Sequence, residues 1–312
     1  MTKPTKLNLS KTTFENQLKD EIKRLLKQMD LKIPNSEKTN DILRNYLTIR
    51  LKLINPKIRK VLVNPNFIKE IILHPKRKEI ELIFNIAKSG GNLNYFQSKR
   101  VIQSRFHDHL LNEWNIYHFH LSSEKDKKSK FVKQVDSLLF VYITDDIFVI
   151  LGTDKHKYGI FADTKWIEIL HDNFPELISQ YKIKHWKDVN PKVNATERQT
   201  LWDKGYSLPM TKIRDTVYFS PGGGRMTSGH GMNVAESVND ILRWIYKLTD
   251  QINEYPKELC EYLQILPEKA KFKVQFGKEK LELVEIESKI KLLEFPEILI
   301  EKSELIKRIK TA

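Results

Sequence analysis

Residues 136–155 read DSLLFVYITDDIFVILGTDK. Two runs of β-branched and aromatic residues, LLFVYIT and IFVILGT, flank Asp145-Asp146. A turn dipeptide between two such runs predicts a β-hairpin. Just upstream, IYHFHL at 116–121 alternates as a further strand would. A Lys-rich connection, SSEKDKKSKFVKQVD, joins that strand to the hairpin. Before it, residues 96–114 (FQSKRVIQSRFHDHLLNEW) put Val101, Ile102, Phe106, Leu110 and Leu111 on one side of a predicted helix. After the hairpin a short helix is predicted from 166, ending near Pro175.

Further out, apolar residues at helical spacing predict helices over 14–29, 41–54 and 77–88, with Pro56, Pro65 and Pro75 leaving 67–73 short. Gly90-Gly91 marks a break, and Asn190-Pro191 a second boundary region. A strand at 216–220 runs into PGGGRMTSGHG, a long helix follows over 233–254, and 268–312 reads as alternating strands and short helices. The predicted fold class is α+β in three parts. Residues 1–92 form a basic helical region, 93–185 the sheet unit, and 186–312 a second mixed α/β unit carrying a Gly-rich loop.

The chain has 312 residues, 40% hydrophobic and 30% charged, a globular balance. No apolar run approaches the ~20 residues that span a bilayer. The start, MTKPTKLNLSKTTFENQ, lacks the apolar core of a secretory signal. The single cysteine, Cys260, excludes an internal disulfide framework and Cys-rich zinc modules, and reads as an inert small hydrophobe. These features predict a cytoplasmic protein with no membrane partner. Charge is uneven: residues 1–100 hold 22 Lys or Arg against 9 Asp or Glu, the remainder 32 against 31. Concentrated positive charge is relieved by a polyanion that releases its counterions, which predicts a nucleic-acid partner, RNA in particular. Lys57, Arg59 and Lys60, and the run Lys76-Arg77-Lys78, are candidate phosphate contacts, whereas the five tryptophans read as core.

Histidines concentrate in the same central segment, at 107, 109, 118, 120 and 156. His118 and His120 lie two apart on a predicted strand and so share one face. Imidazole can take or give a proton near neutral pH. Cleaving RNA needs a base for the ribose 2′-hydroxyl, an acid for the leaving oxygen, and cations near the phosphate. On a helix over 96–114, His107 and His109 would face different directions and not share a site.

His-x-His, a polar insertion, and then DSLLFVYITDDIFVILGTDKHKYGIF resemble the strand series of the RelE/YafQ-type mRNA endonuclease toxins over about residues 116–161. Asp136, Leu138, Leu139, Tyr142, Gly152, Thr153, His156 and Phe161 fill comparable positions, with His118 or His120 as the earlier histidine. The chain departs from that pattern where Asp154 and Lys155 precede His156, and in a longer, more basic connection before Leu138. The resemblance implies a small antiparallel sheet with flanking helices, the helix over 96–114 among them, and proton transfer by His118 or His120 and by His156. It also implies phosphate contacts from Arg105, Lys128 and Lys130, and base stacking on Tyr117, Tyr142, Tyr158 and Phe161. An mRNA, ribosome-associated in some members, and a protein antitoxin are the partners it implies.

The same histidines, joined by Asp136 or Asp154, could instead ligate zinc or manganese, although no HExxH or Cys/His spacing supports a metal. A second constellation is SPGGGRMTSGHG at 220–231, which holds five of the chain's eleven glycines. Gly222, Gly223 and Gly224 could wrap a phosphate with their amides, with Arg225, Ser228 and His230 as further donors. Together these observations predict a metal-independent endoribonuclease without a cofactor, in a toxin or phage-defence setting. A non-catalytic nucleic-acid-binding protein with structural histidines is the alternative, and a metal-dependent nuclease the third reading.

Overall fold

The computed structural model describes residue 7 and residues 9–266, 268–277 and 280–295. In chain order the elements are α1 (Lys11–Gln28), α2 (Thr39–Lys52), β1 (Lys60–Val63), α3 (Pro65–Ile71), α4 (Arg77–Ser89) and α5 (His109–Trp114). Next come β2 (Ile116–His120), β3 (Ser137–Ile143), β4 (Ile147–Lys155), α6 (Lys165–Asn173), α7 (Pro175–Ile178) and α8 (Ala195–Asp203). They are followed by β5 (Met210–Ile213), β6 (Thr216–Phe219), α9 (Met232–Glu254), α10 (Pro256–Leu263), β7 (Phe272–Phe276), β8 (Leu281–Glu285) and β9 (Lys291–Glu294). The fold is α+β, and among the described residues no helix is long and apolar enough to cross a membrane.

β3 and β4 pair antiparallel around Asp145-Asp146, and β2 pairs antiparallel with β3, placing His118 opposite Phe140 and His120 opposite Leu138. Strand alternation divides the hairpin between two cores. Leu138, Phe140, Tyr142, Val149 and Leu151 pack with Trp114, Trp166 and Trp202 on one face. Leu139, Val141, Ile143, Phe148 and Ile150 pack with Phe67, Ile80, Ile83 and Phe119 on the other. Burial on both faces is why these strands read as unbroken apolar runs.

Three expectations need correction. The sheet is mixed: residues 60–63, inside the expected helical region, form β1, which pairs parallel to β4 in the order β1-β4-β3-β2. The expected helix over 96–114 is broken into 3₁₀ turns at Leu93–Phe96 and Lys99–Ile102 and the short α5. Asn92, Ser98 and Asp108 each accept an amide of the turn that follows, and such short polar side chains compete with helical backbone bonds. The chain also divides differently, into 48–234 and a second unit of 1–47 with 235–312. β1 joins the central sheet, while Trp202, Ile213 and Tyr218 join its Trp166-side core, so neither 92/93 nor 185/186 separates packed layers.

In the second unit α1 buries Phe14, Leu18, Ile22 and Leu26. Gln17 of α1 bonds β7 like a strand partner, donating to Phe272 O (3.1 Å) and accepting from Val274 N (3.0 Å). β7, β8 and β9 form a three-stranded antiparallel sheet where alternating strands and short helices were expected; 296–312 lie outside the described residues.

Within 48–234, residues 220–231 dock onto the end of α5. Gly222 N donates to Glu113 O (3.0 Å), Gly224 N to Asn112 O (2.9 Å) and Gly223 N to Ser220 O (2.8 Å). A Cβ at Gly222 would lie 2.2 Å from Leu111 O, a backbone atom that no rotamer change can move. Gly222→Ala is expected to cost about 3 kcal/mol in urea unfolding. Gly205→Ala, where φ is +87° and nothing lies within 4 Å, should cost only about 1 kcal/mol.

Candidate active site

A cavity of about 740 Å³ opens at the end of β2, on the side of the sheet that carries Phe140 and Trp166. His107, His109, His118, His120 and His156 all line it, with Arg100, Arg105, Arg225, Asp108, Asp136 and Asp203. Each histidine arrives for a local reason. His118 and His120 share the core-facing side of β2 with Ile116, where the apolar layer gives way to open space. His156 is not on a neighbouring strand, because β3 lies between β2 and β4. Its amide instead donates to Asp136 O (2.8 Å), which brings it beside the start of β3.

His107 and His109 were expected to diverge on a helix. The helix starts only at His109, after the Asp108 cap, so both reach the cavity. The available signal was Asp108 itself, a capping residue immediately before an apolar helical run. Lys52 steadies the segment leading in: it is buried, and its Nζ donates to Gln103 O (2.7 Å) and Phe106 O (2.8 Å). Burial pushes its pKa down to about 8.

His120 Nδ1 lies 2.8 Å from Val135 O and 3.2 Å from Val135 N. The carbonyl contact suits a protonated Nδ1 and the amide contact an unprotonated one, so Val135 can partner either tautomer of this ring. The His118 ring is 6.2 Å from that of His120 and 4.8 Å from Phe161, and the exposed His156 packs against the same phenyl at 5.2 Å. His118 Nδ1 faces Asp108 Oδ2 at 3.8 Å, while Asp108 Oδ1 accepts Leu111 N at 3.1 Å. One carboxylate thus caps α5 and faces an imidazole.

Burial dominates the electrostatics, because it penalises an imidazolium. It pushes His107, His109 and His120 down to about 4 and lowers His118 as well. Charge on His156 would lower His118 and His120 further.

Several expected contacts lie elsewhere. Of the expected basic phosphate contacts in this segment, Arg105 lines the cavity, whereas Lys128 and Lys130 stand exposed on the connection before β3 and do not. Phe161 forms part of the wall, but Tyr117 points to the opposite face, as strand alternation requires. Tyr142 is buried in the core with its hydroxyl donating to Leu177 O (3.4 Å). Tyr158 is exposed, its hydroxyl donating to Asp203 (3.1 Å).

The Gly-rich loop makes no phosphate cradle: the amides of Gly222, Gly223 and Gly224 already serve α5 and the loop itself. Ser228 is exposed away from the cavity lining, and His230 backs His107 edge-on at 5.0 Å with its Nδ1 on Thr48 Oγ1 (3.0 Å). Only Arg225 of that set reaches the cavity. Among the other basic clusters, Arg59 is buried and donates to Thr144 O (2.9 Å), and Lys57, Lys76 and Arg77 pair with Asp146, Glu79 and Glu81. No group of three His, Cys, Asp or Glu side chains among the described residues is arranged to hold a metal ion.

The depressed imidazoles link stability to pH. Their unfolded value is 6.5, so the unfolded chain takes up protons first as pH falls, and stability is lost between about 6.5 and 4. Urea unfolding should lose about 1 kcal/mol per buried imidazole between pH 7 and 5.5. His120→Gln should flatten that slope.

Compared with protein-family models, with curated proteins and with solved structures, the chain matches none.

Proposed function

We propose that the cavity is the active site of a metal-independent endoribonuclease working by histidine acid–base transesterification. The observation that carries this reading is the convergence of five histidines with Arg100, Arg105 and Arg225 on one cavity. Its volume, about 740 Å³, falls within the roughly 300–1,000 Å³ of ligand sites. The resemblance of 116–161 to the RelE/YafQ toxins points the same way, and a toxin or defence role with a protein antitoxin rests on that resemblance alone.

In this mechanism the neutral His120, in the tautomer whose Nδ1–H donates to Val135 O, accepts the 2′-hydroxyl proton at Nε2. The 2′-oxygen then bonds to the adjacent phosphorus and the P–O5′ bond breaks. The exposed His156 gives a proton to the departing 5′-oxygen. The products are a 2′,3′-cyclic phosphate and a 5′-hydroxyl, and water resets both imidazoles. Arg100 and Arg105 balance charge growing on the phosphate oxygens. Asp108, 3.8 Å from His118 Nδ1, adds negative charge beside the reacting pair. Phe161 offers a face for an unpaired base, a contact worth ~1–3 kcal/mol.

Incubation of labelled RNA with the protein, with and without chelator, tests the proposal. Chelator-resistant cleavage is expected, together with at least a ~100-fold loss in His120→Ala and in His156→Ala, the usual scale of acid–base catalysis. Undiminished cleavage by both variants would sink it. Salt-sensitive binding without product would favour the non-catalytic reading, and loss of cleavage in chelator the metal-dependent one.

A further inference from the structure

Glu113 is fully buried, and its charge acts on two buried guanidiniums, those of Arg198 and Arg225, which are 5% and 7% exposed. The carboxylate accepts from Ser207 Oγ and Ser220 Oγ, both at 2.9 Å, rather than from either arginine. Both arginines keep a buried Nε with no hydrogen-bond partner. Arg198 is engaged inside the fold, with Nη1 on Thr211 Oγ1 (3.3 Å) and its guanidinium 5.4 Å over Trp114. Arg225 is the one that lines the cavity. Its Nη1 donates to Trp202 O (3.3 Å) and contacts the ring nitrogens of His109, which stacks on Trp202.

Burial, with the Arg225 charge beside it, pushes the His109 pKa down to about 4, so its ring adds no second charge there at neutral pH. One buried carboxylate against two buried cations leaves positive charge in excess. Burial raises the Glu113 pKa and so widens that excess. The exposed Asp203 reaches Arg225 only through space. A buried cation without a contacting counter-ion is costly to maintain.

We propose that the cavity wall at Arg225 and His109 is a phosphate subsite, separate from the acid–base imidazoles, whose anion supplies the negative charge that the Glu113 cluster lacks. The guanidinium fork matches phosphate oxygens. That the phosphate belongs to RNA rests on the endoribonuclease reading; the subsite itself rests on charge and packing. An RNA strand can present such oxygens as a diester flanking the scissile one or as a 5′-terminal monoester.

Calorimetric titration of the full-length protein with inorganic phosphate, at constant ionic strength, tests the subsite. Binding is expected in the wild type and in His120→Ala, and weaker by roughly tenfold or more in Arg225→Gln, with Arg225→Lys intermediate. Unchanged affinity in Arg225→Gln overturns the proposal, as does binding lost in His120→Ala yet kept in Arg225→Gln. Should Arg225→Gln not fold by circular dichroism, NMR of the wild type decides. Phosphate must then move the His109 ring signals and leave the exposed His185 in place, and an unmoved His109 overturns the subsite. Comparing 5′-phosphorylated with 5′-hydroxyl forms of one oligoribonucleotide, in the cleavage-deficient His120→Ala background with and without Arg225→Gln, separates the two sources. A preference for the former that Arg225→Gln removes assigns the terminal monoester. Equal binding weakened alike by Arg225→Gln assigns the diester, and no effect on either overturns the subsite. Binding is read here without cleavage, so failure of the subsite and failure of the nuclease reading remain distinguishable.

Discussion

A sheet covered on both faces leaves little room for a polar side chain along its length, because a buried polar group without partners is costly. The hairpin of β3 and β4 imposes that condition here, with one apolar core against Phe140 and another against Phe148. Polar groups that share those faces must gather where the covering layers stop. His118 and His120 sit in the last half of β2, beside the start of β3 where His156 is tethered through Asp136. The position of the cavity follows from the packing of the hairpin.

The opposite wall depends on α5, only six residues long, which carries His109 at its start and Glu113 near its end. A helix this short is weak by itself. Both its ends are held from outside its own hydrogen-bond ladder. Asp108 caps the first turn, and the amides of Gly222 and Gly224 take the carbonyls of Glu113 and Asn112. Only a residue without a side chain permits the approach at Gly222. The same docking carries Arg225 into the cavity, so a loop rich in glycine serves packing first and delivers one cation as a consequence.

Desolvation then sets the chemistry available. Imidazoles held low by burial are neutral at physiological pH, hence proton acceptors, while the exposed His156 meets water directly. The buried guanidinium of Arg225 is denied the option of losing its charge, since arginine stays protonated in proteins. Proton acceptors beside fixed cations suit a phosphodiester substrate, which is the basis of the proposal made for this cavity.

The hairpin, the α+β class and the long helices were legible because hydrophobic period and turn chemistry are local properties, seen directly in LLFVYIT, Asp145-Asp146 and IFVILGT. His118 and His120 sharing a face followed from the two-residue repeat of a strand. Residues 60–63 were not legible as a strand, since a short edge segment gains its hydrogen bonds from β4, 87 residues away in the pairing Lys60↔Ile147 through Val63↔Ile150. Nor was the role of Gly222 and Gly224, whose amides meet a helix end more than a hundred residues distant in sequence. The chain by itself determined which residues could carry protons and charge. Only the tertiary structure decided which of them meet and which are stripped of water, because burial and proximity belong to the packed assembly of segments and to no single segment.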